Sequence, residues 1–199
     1  MSYTIRVGGF NCSNHLGPKT ERHTRMARDS TGSNKIHTFL TGNRYLWFAI
    51  MLIVSWAVMT FTHEMGHILG GLCCGGSVKS ASVVPWRIPY SIFDPDPMPL
   101  VTLWSGLLAG TLVPVLVAVL LHNLSAWFVA HFCTLANGVY IAIAWVTGER
   151  YLDTARLLEH GASPISIVVY CCATIGIGYV GFRNSCIRML SPKTPVDKE

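Results

Sequence analysis

Long apolar runs alternate with short polar segments along this chain of 199 residues. Four runs are free of charged residues and long enough to cross a bilayer as helices: 45–62, 100–121, 126–147 and 165–182. They are continuously apolar and lack the alternation that barrel strands show. The pattern therefore predicts an all-α, polytopic membrane protein with about four transmembrane helices.

The polar segments divide the remainder of the chain. Residues 1–44 are rich in Gly, Ser, Thr and Asn and are predicted to form a disordered tail. The transmembrane domain follows over 45–182, and a short polar tail over 183–199. Five prolines in the loop 77–99 forbid a continuous helix, and its aromatic and β-branched residues favour short extended pieces at the membrane interface. Such a loop could hold a peptide by strand addition or form a plain interfacial hairpin.

The composition is typical of an integral membrane protein. Apolar residues make up 51% of the chain and charged residues 13%, with a mean hydropathy of +0.42, which excludes an ordinary soluble domain. The net charge of +5 indicates no nucleic-acid site, because the basic residues concentrate at the two ends. Eleven of them lie in the tails and four in the loops, which favours cytoplasmic termini. No feature indicates an oligomeric state.

The chemistry of the chain centres on a His-Glu-x-x-His motif at 63–67, at the end of the first apolar run. On a helix, residues four apart share a face, so His63 and His67 can offer two imidazole nitrogens to one metal ion. Glu64 can then reach a water activated by that metal. An ionised carboxylate inside hydrocarbon is costly unless it is paired or serves a site, so a functional role is favoured over a helix end whose polar residues snorkel to water.

Membrane topology brings a third candidate ligand to the depth of the motif. The motif lies at the far end of the first helix, and the third helix, two crossings later, exits on that same side. A short amphipathic helix closed by Gly161 follows there and carries Asp153. Glu149 is the runner-up, whereas Glu159, six residues further along the helix than Asp153, should point elsewhere.

These residues resemble the site-2 protease family of intramembrane zinc metalloproteases. In that family a membrane helix with His-Glu-x-x-His precedes a helix with a small-residue motif and a third segment with a Leu-Asp-Gly aspartate. The matching positions are His63, Glu64 and His67, the Ser-Gly-Leu-Leu-Ala-Gly segment at 105–110, and Leu-Asp at 152–153. Roughly residues 45–160 carry the resemblance.

The resemblance implies a three-helix metalloprotease core that holds one Zn²⁺ through His63, His67 and Asp153. Glu64 would act as the catalytic base, taking a proton from the attacking water and returning it to the leaving amine. The expected partners are transmembrane protein substrates, cut within the bilayer. The family usually holds its site nearer the cytosol, whereas the charge distribution favours the outer face, so the orientation stays open.

Two positions depart from this pattern. Thr154 and Leu107 stand where the family usually has Gly and Pro, respectively. Asn137, a polar residue within the third apolar run, is a candidate for stabilising the oxyanion, although bonding across helices is the commoner role of such a residue.

Three other functions compete with this hypothesis. A membrane zinc protease of the prenyl-protein type would use a downstream glutamate, such as Glu149, as the third ligand. A non-catalytic membrane scaffold or transport component would bind no metal. A di-iron hydroxylase or desaturase would require several histidine clusters, and only His63 with His67 qualifies.

Overall fold

The computed structural model describes residues 19–87 and 89–191, with side chains from residue 43 onward. Within these residues the chain forms five helices and one two-stranded sheet: α1 Lys19–Cys73, β1 Val78–Ser82, β2 Tyr90–Phe93, α2 Pro99–Leu121, α3 Leu124–Thr147, α4 Asp153–Glu159 and α5 Pro164–Leu190. The predicted all-α, polytopic architecture is confirmed.

Four of the described helices are long and apolar enough to cross a membrane: Asn43–Cys73, Pro99–Leu121, Leu124–Thr147 and Pro164–Leu190. Each carries large apolar side chains on its outward face, as expected where the surrounding solvent is lipid. The prediction of a membrane protein is therefore confirmed, and each predicted run lies within one of these helices.

Helices α1 and α5 extend well beyond the predicted runs, and α5 continues to Leu190, within the predicted C-terminal tail. α1 begins at Lys19, within the segment predicted to be a disordered tail, and no proline interrupts it before its end at Cys73. Residues 1–18 of that predicted tail, and residues 192–199 of the C-terminal one, lie outside the described residues. Contacts divide the chain between Gly42 and Asn43, and all described side chains belong to the unit that begins at Asn43.

Helix α3 lies at the centre of this unit and packs against α2, α4 and α5. The side chain of Asn123 caps its first turn by accepting a hydrogen bond from the backbone N–H of Ala126 at 2.8 Å. Gly148 ends it in the left-handed region at φ 63°. The core beside it contains fully buried aliphatic side chains from α2, α3, α4 and α5: Leu103, Leu107, Ile141, Leu157 and Ile167.

Helices α1 and α2 cross at small residues. Ser105 donates its hydroxyl to the backbone oxygen of Gly66 at 2.9 Å, and a Cβ added at Gly66 would clash with Ala109. Small residues let two membrane helices approach this closely, and packing and hydrogen bonding then hold them together. The close packing predicted for the 105–110 segment is therefore observed, and it brings α2 against the face of α1 that carries the motif.

The two strands form an antiparallel hairpin that runs back along α1. The Phe93 ring packs at Gly71, and the indole Nε1–H of Trp56 donates to the backbone oxygen of Pro85 at 3.0 Å. Because a helix rises 1.5 Å per residue, Trp56 and Gly71 are about 22 Å apart along α1. The hairpin thus reaches well into the depth of the candidate membrane span, further than the interfacial position predicted from its composition.

Candidate metal centre

The two motif histidines lie one helical turn apart on the buried face of α1. Their rings meet edge to face with centroids 4.7 Å apart, and their Nε2 atoms are 3.0 Å apart. Both side chains are buried, although this helix is largely exposed elsewhere. The predicted sharing of one face is therefore observed.

Asp153 reaches the same point as the first residue of helix α4. Its Oδ2 lies 2.9 Å from Nε2 of His63 and 3.4 Å from Nε2 of His67. The next residue, Thr154, is buried and donates its hydroxyl to the backbone oxygen of Ile141 on α3 at 2.8 Å. The threonine that departs from the family pattern thus fastens the start of α4 to the central helix and holds the aspartate in place.

The Nδ1 nitrogen of each imidazole, here called the outer nitrogen, contacts an oxygen acceptor. Nδ1 of His63 lies 2.7 Å from Oδ1 of Asn137, and Nδ1 of His67 lies 2.8 Å from the backbone oxygen of Thr102. The Asn137 amide is oriented by its own Nδ2, which donates to the Cys133 carbonyl at 2.9 Å. Both partners therefore accept, so the proton of each neutral ring sits on Nδ1.

This assignment leaves both Nε2 atoms as acceptors that face a third acceptor, the Asp153 carboxylate. Three lone pairs within about 3 Å repel one another unless a cation, either a proton or a metal ion, lies between them. Donor atoms around tetrahedral zinc are separated by roughly 3.3 Å. The observed separations of 2.9, 3.0 and 3.4 Å are close to that value, and the donor set of two imidazoles and one carboxylate fits zinc.

The charge of Asp153 also suits a metal ligand. Burial disfavours its ionised form, but with a proton between the carboxylate and the facing Nε2 atoms the contacts with His63 and His67 outweigh burial and hold the pKa of the carboxyl well below its usual range. A cation between these groups therefore keeps Asp153 ionised. A carboxylate must be in this state to bind a metal.

Glu64 lies beside these three residues but does not join them. Its carboxylate is buried, and its Oε2 accepts a hydrogen bond of 3.1 Å from the hydroxyl of Ser91 on β2. A cluster of possible metal ligands forms from His63, His67 and Asp153 without it. Glu64 therefore lies next to the candidate metal site without being one of its possible ligands.

Two glycines of α2 make room for the site. A Cβ at Gly106 would overlap the His67 ring, and one at Gly110 would press on the Asn137 amide at 2.9 Å. The four-residue spacing of Gly106 and Gly110, which predicted helix packing, therefore also places the bare backbone of α2 against His67 and Asn137.

The rival ligands lie elsewhere. Glu149 and Glu159 are both exposed and stand outside the cluster. Asn137 bonds to His63, the commoner of the two roles weighed for it. The roles of Thr102 and Ser91 were not predictable from the sequence, because Thr102 contributes its backbone oxygen to the site and Ser91 is an ordinary strand residue.

Comparison of the chain with protein-family models, curated proteins and solved structures gives no match.

Proposed function

We propose that the protein is an intramembrane zinc-dependent endopeptidase that hydrolyses peptide bonds of membrane-embedded protein substrates. One observation carries the proposal. Two imidazoles with fixed outer nitrogens and one carboxylate aim their acceptor atoms at a single point, and a fourth residue, Glu64, stands beside it. Zinc hydrolases need this combination of ligands and base.

A metal ion explains the arrangement better than a shared proton. A proton would satisfy one pair of atoms, whereas three converging acceptors suit an ion that binds all of them at once. The same donor set also suits non-haem iron, but the glutamate next to the first histidine favours hydrolysis. Bound zinc supplies a Lewis acid that activates water and polarises a carbonyl.

The side chains of the chain then have distinct roles. Glu64 takes a proton from the water that attacks a peptide carbonyl and returns it to the leaving amine. Asn137 and the Thr102 carbonyl keep both imidazoles in the tautomer that presents Nε2. His63 lies ten residues before the end of α1, about 15 Å along the helix, so the reacting bond lies at membrane depth.

The hairpin supports a way to present the substrate. A membrane helix hides its peptide bonds, so the scissile stretch must become extended before cleavage. Strand β2 stands next to Glu64 through Ser91, and an extended segment could pair with an edge of the hairpin. We therefore favour strand addition over a plain interfacial hairpin.

The competing functions have less support. A protease of the prenyl-protein type would need a glutamate such as Glu149 at the third position, but that residue is exposed while Asp153 contacts both rings. A scaffold without metal would leave buried acceptors facing one another at a free-energy cost.

Replacing Glu64 by Gln tests the proposed chemistry. The variant should still bind one zinc per chain but lose cleavage by about a thousandfold or more, because the amide cannot accept the proton. The assay uses a tagged single-span peptide with an Asn-Pro pair in its membrane segment, reconstituted with the protein in vesicles. Chelation should inactivate the wild type and added zinc should restore it. Cleavage by Glu64→Gln at the wild-type rate, or wild-type cleavage that a chelator does not slow, would contradict the proposal.

A further inference from the structure

Ser91 is the one buried residue of strand β2, and its hydroxyl faces the Glu64 carboxylate. The strand is otherwise exposed or half-buried. Within the part of the chain that the structure describes, Ser91 provides the only side-chain hydrogen bond to Glu64. One carboxylate oxygen, Oε2, is therefore engaged by the hairpin, and the other, Oε1, is left for chemistry.

The hairpin is anchored to α1 on both sides of this contact. Phe93 packs at Gly71 towards the end of the helix, and Pro85 accepts from Trp56 in its earlier part. Ser91 lies between these anchors. Its hydroxyl therefore approaches Glu64 from an element that is itself held at a fixed place along the helix.

We propose that Ser91 is a positioning residue that holds the Glu64 carboxylate in its reactive orientation and thereby couples the hairpin to the catalytic base. The catalytic role of Ser91 rests on the proposed function, whereas its coupling to Glu64 does not. A glutamate side chain has three rotatable bonds, and a hydrogen bond to its charged end selects one orientation among several. The coupling is reciprocal: if Ser91 fixes Glu64, then Glu64 fixes the hairpin to the same degree.

Kinetics with three serine variants test the catalytic part. Ser91→Ala should lower kcat by about tenfold, the weight of one hydrogen bond to a charged group, with KM and zinc content near those of the wild type. Ser91→Thr keeps the hydroxyl and should retain most of the wild-type kcat. Ser80→Ala removes a serine hydroxyl from the other strand, where its hydrogen-bond partner is the Tyr90 hydroxyl, and should have no effect. An unchanged kcat in Ser91→Ala, or an equal loss in Ser91→Thr, would overturn the proposal.

Hydrogen exchange in zinc-free protein tests the coupling without any turnover. Ser91→Ala and Glu64→Ala should each speed amide exchange over the hairpin, and the double variant should exchange no faster than either single one. Glu64→Gln, which can still accept from Ser91, should stay near the wild type. Additive effects in the double variant, or unchanged exchange in both single variants, would refute the coupling.

The two experiments separate this inference from the proposed function. A wild type that neither binds zinc nor cleaves would refute the protease hypothesis, while the exchange cycle would still decide whether Ser91 and Glu64 are coupled. If the wild type cleaves in a zinc-dependent way but Ser91→Ala and Glu64→Ala have additive effects on hairpin exchange, only the role of Ser91 is refuted.

Discussion

Single residues decide which nitrogen of each histidine is available to a cation. Asn137 and the Thr102 carbonyl accept from the two Nδ1 atoms, so both Nε2 lone pairs face Asp153. The His-Glu-x-x-His spacing was sufficient to predict that His63 and His67 share a face. Their hydrogen-bond partners were not predictable, because a backbone oxygen has no signature in sequence and a single asparagine in an apolar helix has several possible roles.

Asn137→Ala should weaken zinc binding by about 10- to 100-fold, since the His63 ring loses the acceptor that fixes its tautomer. Equilibrium titration of zinc-free protein with zinc, read by a competing chelator, measures the change. The matched control is Asn123→Ala at the start of the same helix, far from the centre. It should lower the free energy of unfolding by about 1 kcal/mol through the lost helix cap and leave zinc affinity unchanged. Equal zinc affinity in Asn137→Ala and the wild type would refute the role of Asn137.

At the scale of elements, the small residues of α2 have two functions at once. They allow the close crossing with α1, and they leave room for the His67 ring and the Asn137 amide. The spacing of Gly106 and Gly110 predicted a packing face, and that prediction is confirmed. What the sequence could not show is that the face meets the site, because the partner of a small-residue motif is not encoded in the motif itself.

Gly106→Ala should displace the His67 ring and lower zinc affinity at least tenfold, with about 1–3 kcal/mol of lost stability from overpacking. The control is Gly176→Ala on α5, where an added Cβ meets nothing within 4 Å. That variant should keep its zinc and its stability. Zinc titration and thermal unfolding of both variants check the prediction, which fails if Gly106→Ala binds zinc as tightly as Gly176→Ala does.

Helix α4 was predictable from the apolar pattern of its sequence. The apolar spacing and Gly161 predicted a short helix after the third span, and α4 forms there and ends before that glycine, which has φ +87°. The departures from the family pattern also have structural explanations. Thr154 bonds to α3, and Leu107 is buried in the core, where its backbone oxygen accepts from the Tyr170 hydroxyl at 2.9 Å.

For the whole molecule, counting membrane crossings was enough to bring Asp153 to the depth of the motif. Each span reverses the direction of the chain, so the ends of the first and third helices return to the same side. The inward path of the hairpin was not predictable in this way. Its contacts with Trp56, Glu64 and Gly71 depend on side chains that pair across more than twenty residues, and prolines and aromatics in a loop do not specify such a pairing.

The most direct test of the account is the zinc content of purified wild-type protein beside Asp153→Ala and Glu149→Ala. We predict one zinc per chain in the wild type and in Glu149→Ala, and loss of that zinc in Asp153→Ala, because Asp153 contacts both imidazoles and Glu149 stands outside the cluster. A wild type that binds no zinc, or an Asp153→Ala variant that keeps it, would contradict the account.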